Sequence, residues 1–180
     1  KIMTVRFYYL SLLILVLFKI VAVYFTDFNL YGDEAQYWLW SQSPNLGYFS
    51  KPPLLPWFLL VYETAFGSSF FSLKMFPLVI YVFIYFSFYN FCLKLLMSRD
   101  RSIMCAISFL VIPAASVSSF LVSTDLVLLL FWTISMTLLI EIRESGKILS
   151  FFLLGVFLGL AFLAKYAAVY FLLCLIFLII

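Results

Sequence analysis

The sequence contains no histidine, and only 11% of its 180 residues are charged. Without histidine, the chain lacks the side chain that most often titrates near neutral pH and the commonest metal ligand. Any proton transfer must therefore use carboxylates, lysine or tyrosine. The net charge of +3 is small and scattered along the chain, which argues against nucleic acid as a partner.

Cysteine is also scarce. Cys92, Cys105 and Cys174 each lie in an apolar run, at spacings unrelated to one another. This pattern predicts neither a disulfide framework nor a zinc site. We therefore predict no metal site and assign no cofactor. The sequence leaves open whether the protein uses a divalent cation.

What the chain does contain is apolar surface. Hydrophobic residues make up 67% of it, and its mean hydropathy is +1.19. A soluble domain could not bury so much, so we predict an all-α, polytopic transmembrane helix bundle. The predicted spans lie at about 7–25, 74–97, 103–122, 125–142, 148–164 and 166–180. A lysine at the start and an apolar run at the end indicate the N-terminal part of a longer protein. The first run resembles a signal peptide, but we expect an uncleaved first span.

Basic residues predict the orientation of the bundle. With the N-terminus in the cytoplasm, seven basic residues share the cytoplasmic side: Lys1, Arg6, Lys94, Arg99, Arg101, Arg143 and Lys147. The opposite side receives three lysines and the acids Asp27, Asp33, Glu34, Glu63 and Asp125. The long first loop, 26–73, is then extracytoplasmic, and its length marks it as the functional part.

Two short helices are predicted within that loop. "DEAQYWLW" places Asp33 and Glu34 in a first helical turn, where the helix dipole favours acids. Ser50-Lys51-Pro52-Pro53 follows, and its prolines hold Lys51 in extended backbone before a second helix, "LPWFLLVYETAFG". An ordinary solvated loop with an aromatic belt would explain the aromatic residues, but it leaves the charges unexplained.

Three further charges need an interpretation. Asp125 and Lys165 each have a structural and a functional one, and a carboxylate at Asp125 would face the same outer cavity as Asp33. Asp125 follows Ser123-Thr124, where one of these residues could simply cap the next helix. Lys165 could extend to the membrane interface, or it could contribute to the same outer cavity. For Lys19, within the first span, we expect extension to the interface and assign no role.

The loop motifs resemble a known family. "GDEAQYWLWS" followed by "GYFSKPPLLPWFL" is similar to the first outer loop of the GT-C membrane glycosyltransferases. The resemblance is to the protein O-mannosyltransferase-like branch, which includes the aminoarabinose transferases of lipid A. "STDLVLLLFWTISMTLLIE" and "GLAFLAKYAAVYFLL" follow in the order that this branch leads one to expect.

The resemblance implies a function and a set of site residues. It implies transfer of a sugar from a polyprenyl-phosphate donor to a lipid, glycan or protein acceptor, in contact with membrane lipids. The location implied is the bacterial inner membrane, with the site on its extracytoplasmic side. The implied catalytic carboxylates are Asp33 as the principal one, Glu34 as a supporting or acceptor contact, and Asp125. The implied phosphate-binding residues are Lys51 and Lys165, and the implied cavity-lining residues are Tyr37, Tyr48, Pro52 and Pro53.

Two other classes of protein remain as alternatives. A transporter or flippase of lipid-linked or small polar substrates would carry charges near the middle of several spans. A structural membrane subunit would leave the charges of the first loop unexplained. The glycosyltransferase hypothesis requires Asp33, Lys51 and Asp125 to converge in one pocket beside the outer leaflet.

Overall fold

The computed structural model of the chain describes residues 2–25 and 29–179. Lys1 and Asp27, which the predicted orientation uses, lie outside the described residues. Within them all regular structure is helical, which confirms the predicted all-α class. The α-helices are α1 (Ile2–Tyr24), α2 (Gly32–Ser41), α3 (Leu54–Phe66), α4 (Phe70–Leu96), α5 (Arg99–Val111), α6 (Pro113–Ser118), α7 (Thr124–Ser145), α8 (Ile148–Ala164) and α9 (Val169–Ile179).

Among the described residues, three helices are long and apolar enough to cross a membrane. They are Val5–Tyr24 within α1, Phe70–Leu96 and Thr124–Ser145. The predicted spans 7–25, 74–97 and 125–142 fall on them. The predicted span 148–164 has the same bounds as α8, a shorter apolar helix.

Two predicted spans are not continuous α-helices. The stretch 103–122 divides at Pro113, which begins α6, because proline disfavours helical backbone in the residue before it. Ile112 is accordingly extended, with φ −62° and ψ 122°. The stretch 166–180 opens with a short 3-10 helix before α9, after Lys165 adopts extended backbone. The first break leaves non-helical backbone at Ile112, beside the start of α7. The second leaves non-helical backbone at Lys165, at the end of α8.

The core is organised around α4, which packs against α1, α5 and α7, while α7 also packs against α8. Tyr85 of α4 is fully buried, stacks on Tyr8 at a centroid distance of 4.7 Å, and donates to the Tyr8 carbonyl at 3.2 Å. Tyr81, also fully buried, donates to the Leu110 carbonyl at 3.3 Å. The hydroxyls of Tyr81 and Tyr85 are thus bonded, as an apolar interior favours, whereas the buried Tyr8 hydroxyl has no partner among the described residues.

The two ends of the bundle carry separate charge clusters. At one end, Lys94 Nζ lies 2.6 Å from Glu141 Oε1. At the other, Lys74 Nζ lies 2.6 Å from Glu34 Oε2. Both lysines belong to α4, where about 20 residues of helix separate them by roughly 30 Å, the thickness of a hydrocarbon core. The first-loop helices α2 and α3 therefore lie at the end marked by Lys74.

Candidate functional site

Helix α2 forms where the sequence predicts it, and its N-terminus is held by Glu34. Tyr31 is the extended N-cap residue, and its backbone N–H donates to Glu34 Oε2 at 2.9 Å. This hydrogen bond, from the N-cap backbone to the Glu34 side chain three residues later, is one half of a capping box. It satisfies a backbone donor for which the helix itself offers no acceptor. Asp33 and Glu34 consequently sit in the first turn, where the partial positive charge of the helix N-terminus favours them.

Glu63 of α3 fixes α2 against α3. Its carboxylate accepts hydrogen bonds from Trp38 Nε1 at 2.8 Å, Ser41 Oγ at 3.0 Å and Gln42 Nε2 at 2.9 Å. Two donors from α2 and one from its C-cap residue thus bond to the same carboxylate of α3, so the two helices form one unit. The sequence analysis assigned no role to Glu63.

The connection between α2 and α3 is ordered by aromatic residues. Tyr48 stacks on Trp40 at 4.6 Å and donates from its hydroxyl to the Trp40 carbonyl at 2.9 Å. The Tyr48 backbone N–H donates to the Lys51 carbonyl at 3.2 Å, and Pro52 and Pro53 are buried at the start of α3. Tyr48, Pro52 and Pro53 therefore position the backbone of Lys51 and, unlike the prediction from the sequence, do not line the cavity described below.

A cavity of about 580 Å³ opens where α2, Lys51 and the start of α7 meet. Asp33, Lys51 and Asp125 all line it, together with Tyr37, as the sequence analysis required. The opposite wall is the segment that connects α6 to α7, with Phe120, Leu121, Val122 and Ser123, followed by Thr124 at the start of α7. The cavity is large enough for a sugar head group.

Glu34 lines the cavity, but both oxygens of its carboxylate accept hydrogen bonds from other parts of the protein. Its side chain is 2% exposed. Oε2 accepts from Lys74 Nζ at 2.6 Å as well as from the Tyr31 backbone, and Oε1 accepts from the Val122 backbone N–H at 2.9 Å. Glu34 thus joins α2, α4 and the cavity wall. The sequence did not predict Lys74 as its partner, because the two residues lie 40 positions apart along the chain.

Asp125 is paired with Lys165. Oδ1 of Asp125 lies 2.5 Å from Lys165 Nζ, and the two side chains are 63% and 32% exposed. Ser123 is the N-cap residue of α7 and makes no side-chain capping hydrogen bond. Lys165 therefore neutralises the second acid at the cavity rim instead of extending freely to the interface.

Asp33 and Lys51 differ from the other charges. Within the part of the chain that the structure describes, neither side chain makes an ion pair or a hydrogen bond. Both line the cavity, so one carboxylate and one ammonium group face it without a protein partner. The described residues contain no group of three or more acidic or cysteine side chains that could hold a metal ion.

The expectation for Lys19 was wrong. Its side chain is 1% exposed and does not reach the interface. Its ammonium group instead donates to the Ser116 carbonyl at 2.9 Å and to Ser119 Oγ. The sequence could not show this contact, because Ser116 and Ser119 lie almost one hundred residues further along the chain.

Comparison with known proteins gives two matches. The family described as "Dolichyl-phosphate-mannose-protein mannosyltransferase" matches residues 50–180. The lipid A galacturonosyltransferase RgtD of Rhizobium johnstonii is 29% identical over 161 residues, which cover 86% of this chain and 33% of that protein. The chain thus spans about a third of the length of this relative. No solved structure gives a significant match.

Proposed function

The chain belongs to the dolichyl-phosphate-mannose-protein mannosyltransferase family of GT-C membrane proteins, and we propose that its cavity transfers a sugar from a polyprenyl-phosphate donor. The observation that supports this is the convergence of Asp33, Lys51 and Asp125 on one cavity at one end of the bundle. We place this end at the extracytoplasmic face of the membrane. The name of the relative points to lipid A for that protein, and we propose a lipid or glycan acceptor here.

The reaction uses the two unpaired charges. An acceptor hydroxyl attacks the anomeric carbon, and the bond from that carbon to the phosphate oxygen breaks with its electron pair remaining on the phosphate. The acceptor's proton passes to the carboxylate of Asp33, which has no protein partner among the described residues and is free to accept it. A carboxylate on the side of attack also stabilises the oxocarbenium character of the anomeric carbon.

Lys51 takes the phosphate. Negative charge grows on the phosphate oxygen as it leaves, so a fixed ammonium group stabilises the transition state more than the substrate. Lys51 is suited to this because the buried prolines Pro52 and Pro53 and the Tyr48 backbone contact fix its main chain. A compact positive charge matches a phosphate oxygen without requiring a bidentate geometry.

Asp125 and Lys165 act as a pair at the rim. Since Lys165 already neutralises Asp125, Asp125 is the weaker candidate for the base. We propose that the pair orients the sugar or the acceptor. When the donor binds, Lys165 can leave Asp125 and contact the donor phosphate.

The experiment that tests the function is a transfer assay with the purified protein in proteoliposomes. A panel of radiolabelled polyprenyl-phosphate sugars is supplied with lipid acceptors, and labelled product is measured. Transfer that requires the lipid-phosphate donor supports the proposal. Movement of labelled donor across the bilayer without product formation would support the transporter alternative instead.

We expect Lys51→Ala to raise the donor KM by about tenfold or more, because one charge contact to the phosphate is lost. Initial rates at varied donor concentration measure this. Lys147→Ala is the matched control, since Lys147 is exposed between α7 and α8 and far from the cavity. An unchanged donor KM in Lys51→Ala would contradict the phosphate assignment.

We expect Lys165→Met and Asp125→Asn to be non-additive. Each should lower the transfer rate by about tenfold, while the double variant should be no slower than the slower single one, because both remove the same pair. Stability should change little, since exposed pairs contribute about 0–1 kcal/mol. Lys94→Met breaks an ion pair of comparable length and lysine exposure at the opposite end and should leave transfer unchanged. Additive losses would show that the two residues act separately.

A further inference from the structure

Lys19 is a buried cation held without an acid. None of the three ion pairs found among the described residues includes it. Its ammonium group donates to the Ser116 carbonyl at 2.9 Å and to Ser119 Oγ, and lies 3.8 Å from the centroid of the Phe120 ring. Carbonyl, hydroxyl and ring face together replace part of the lost hydration. These three contacts fall on five consecutive residues, 116–120, and the Tyr81 ring of α4 lies further away, with its centroid 5.5 Å from the ammonium group.

The segment that Lys19 holds is the wall of the candidate site. Phe120 and Leu121 line the cavity that contains Asp33, and they also line a neighbouring apolar cavity of about 300 Å³ with Ala22, Val23, Tyr31, Phe70 and Lys74. Helix α6 ends at Ser118 and α7 begins at Thr124. Turn hydrogen bonds tie the N–H groups of residues 119–121 to the last turn of the short helix α6, but no regular helix joins this segment to α7. Its position depends on what it contacts.

Two buried charges hold this segment from opposite sides. Lys19 holds its beginning, and Glu34 holds Val122 through the backbone N–H at 2.9 Å. Asp125 follows three residues later. The placement of Asp125 relative to Asp33 therefore depends on both contacts, and loss of Lys19 leaves the segment with its local turn hydrogen bonds and the contact of Val122 with Glu34.

We propose that Lys19 is a positioning residue of the transferase site, which acts by fixing the wall 116–122 and through it the separation of Asp33 and Asp125. This inference rests on the proposed function. A buried lysine costs free energy that an apolar side chain at the same position would not. Stability alone does not require the lysine, whereas a fixed connection between α6 and α7 does.

The test is Lys19→Met, which keeps the length of the side chain and removes the charge and the donors. We expect kcat per folded molecule to fall by about tenfold to a hundredfold, because small displacements of reacting groups have effects of this size. The donor KM should stay within about twofold, since Lys51 is untouched. A change confined to stability would lower the yield of folded protein and leave both constants unchanged.

A second measurement does not depend on activity. Leu121→Cys is introduced into a background in which Cys92, Cys105 and Cys174 are replaced, and its reaction with a membrane-impermeant maleimide is timed. Adding Lys19→Met should accelerate labelling by about fivefold, because the segment 116–122 then lacks its contacts with Lys19 and exposes residue 121 more often. If the wild-type protein transfers no sugar, the proposed function fails, while the labelling comparison still decides the role of Lys19.

Ser119→Ala and Ser118→Ala form a matched pair for a milder test, useful if Lys19→Met does not fold. Ser119 Oγ accepts from Lys19, whereas the exposed Ser118 hydroxyl donates to the Ala114 carbonyl at 2.7 Å within its own helix. Slower transfer and faster labelling in Ser119→Ala alone support the inference. Equal effects of the two variants, or an unchanged labelling rate in Lys19→Met, would overturn it.

Discussion

Asp33→Asn is expected to reduce sugar transfer to background while the protein stays folded and inserted. Asparagine has the same shape but cannot take the acceptor's proton, and the loss of a general base typically costs about 10²–10⁴ in rate. Asp33 is exposed and its side chain makes no hydrogen bond or ion pair within the described residues, so the free energy of unfolding should change by no more than about 0.5 kcal/mol. The initial rate with labelled donor, per amount of monodisperse protein, measures the effect.

Asp100→Asn is the matched control for this variant. Asp100 is also an exposed acid in a first helical turn, but it lies in α5, whose N-terminus is at the other end of the bundle. Its substitution should leave transfer unchanged. Asp33→Glu keeps the carboxylate, misplaces it by about one bond, and should retain measurable activity. Normal turnover in Asp33→Asn would remove Asp33 from the catalytic role.

The helices were predictable because lipid leaves the backbone little choice. An apolar run in a bilayer must satisfy its own N–H and C=O groups, so the run 148–164 predicts a helix, and the helix Ile148–Ala164 has the same bounds. That this helix crosses the membrane stays a prediction. The two loop helices were predictable for another reason: acids in a first turn and a proline-led start are local signals. Pro113 interrupts the predicted span 103–122 in the sequence, and the structure divides the chain there into α5 and α6.

The roles of the charges were harder to predict, because they depend on contacts between distant parts of the chain. Asp33 and Glu34 are adjacent, but successive residues of a helix point about 100° apart. Glu34, Tyr37 and Ser41 are the buried residues of α2, and their spacing of three and four already indicates one inward face. That pattern could have separated the buried acid from the exposed one. The identity of the partner, Lys74, could not be obtained from it.

Glu34→Gln is expected to destabilise the protein by about 3–5 kcal/mol, because it leaves the ammonium group of Lys74 buried without its carboxylate. Glutamine keeps the shape of the side chain, and its carbonyl oxygen can still accept from Val122. The expected loss is therefore electrostatic and not a matter of packing. For a chain of this size it corresponds to a fall in the midpoint of thermal unfolding of roughly 10 °C, which the loss of monodisperse protein on heating measures.

The double variant Glu34→Gln/Lys74→Met separates the free energy of the ion pair from that of the other contacts the two side chains make. With no charge left to bury, it should recover much of the lost stability, and the coupling free energy of the cycle should be at least about 2 kcal/mol. The same variants distinguish the two roles considered for Glu34. If Glu34 only holds α2, α4 and Val122 together, the folded fraction of the double variant transfers sugar at a substantial rate. If Glu34 takes part in the chemistry, the double variant folds and remains inactive, and Asp33 is then not the sole carboxylate on which transfer depends.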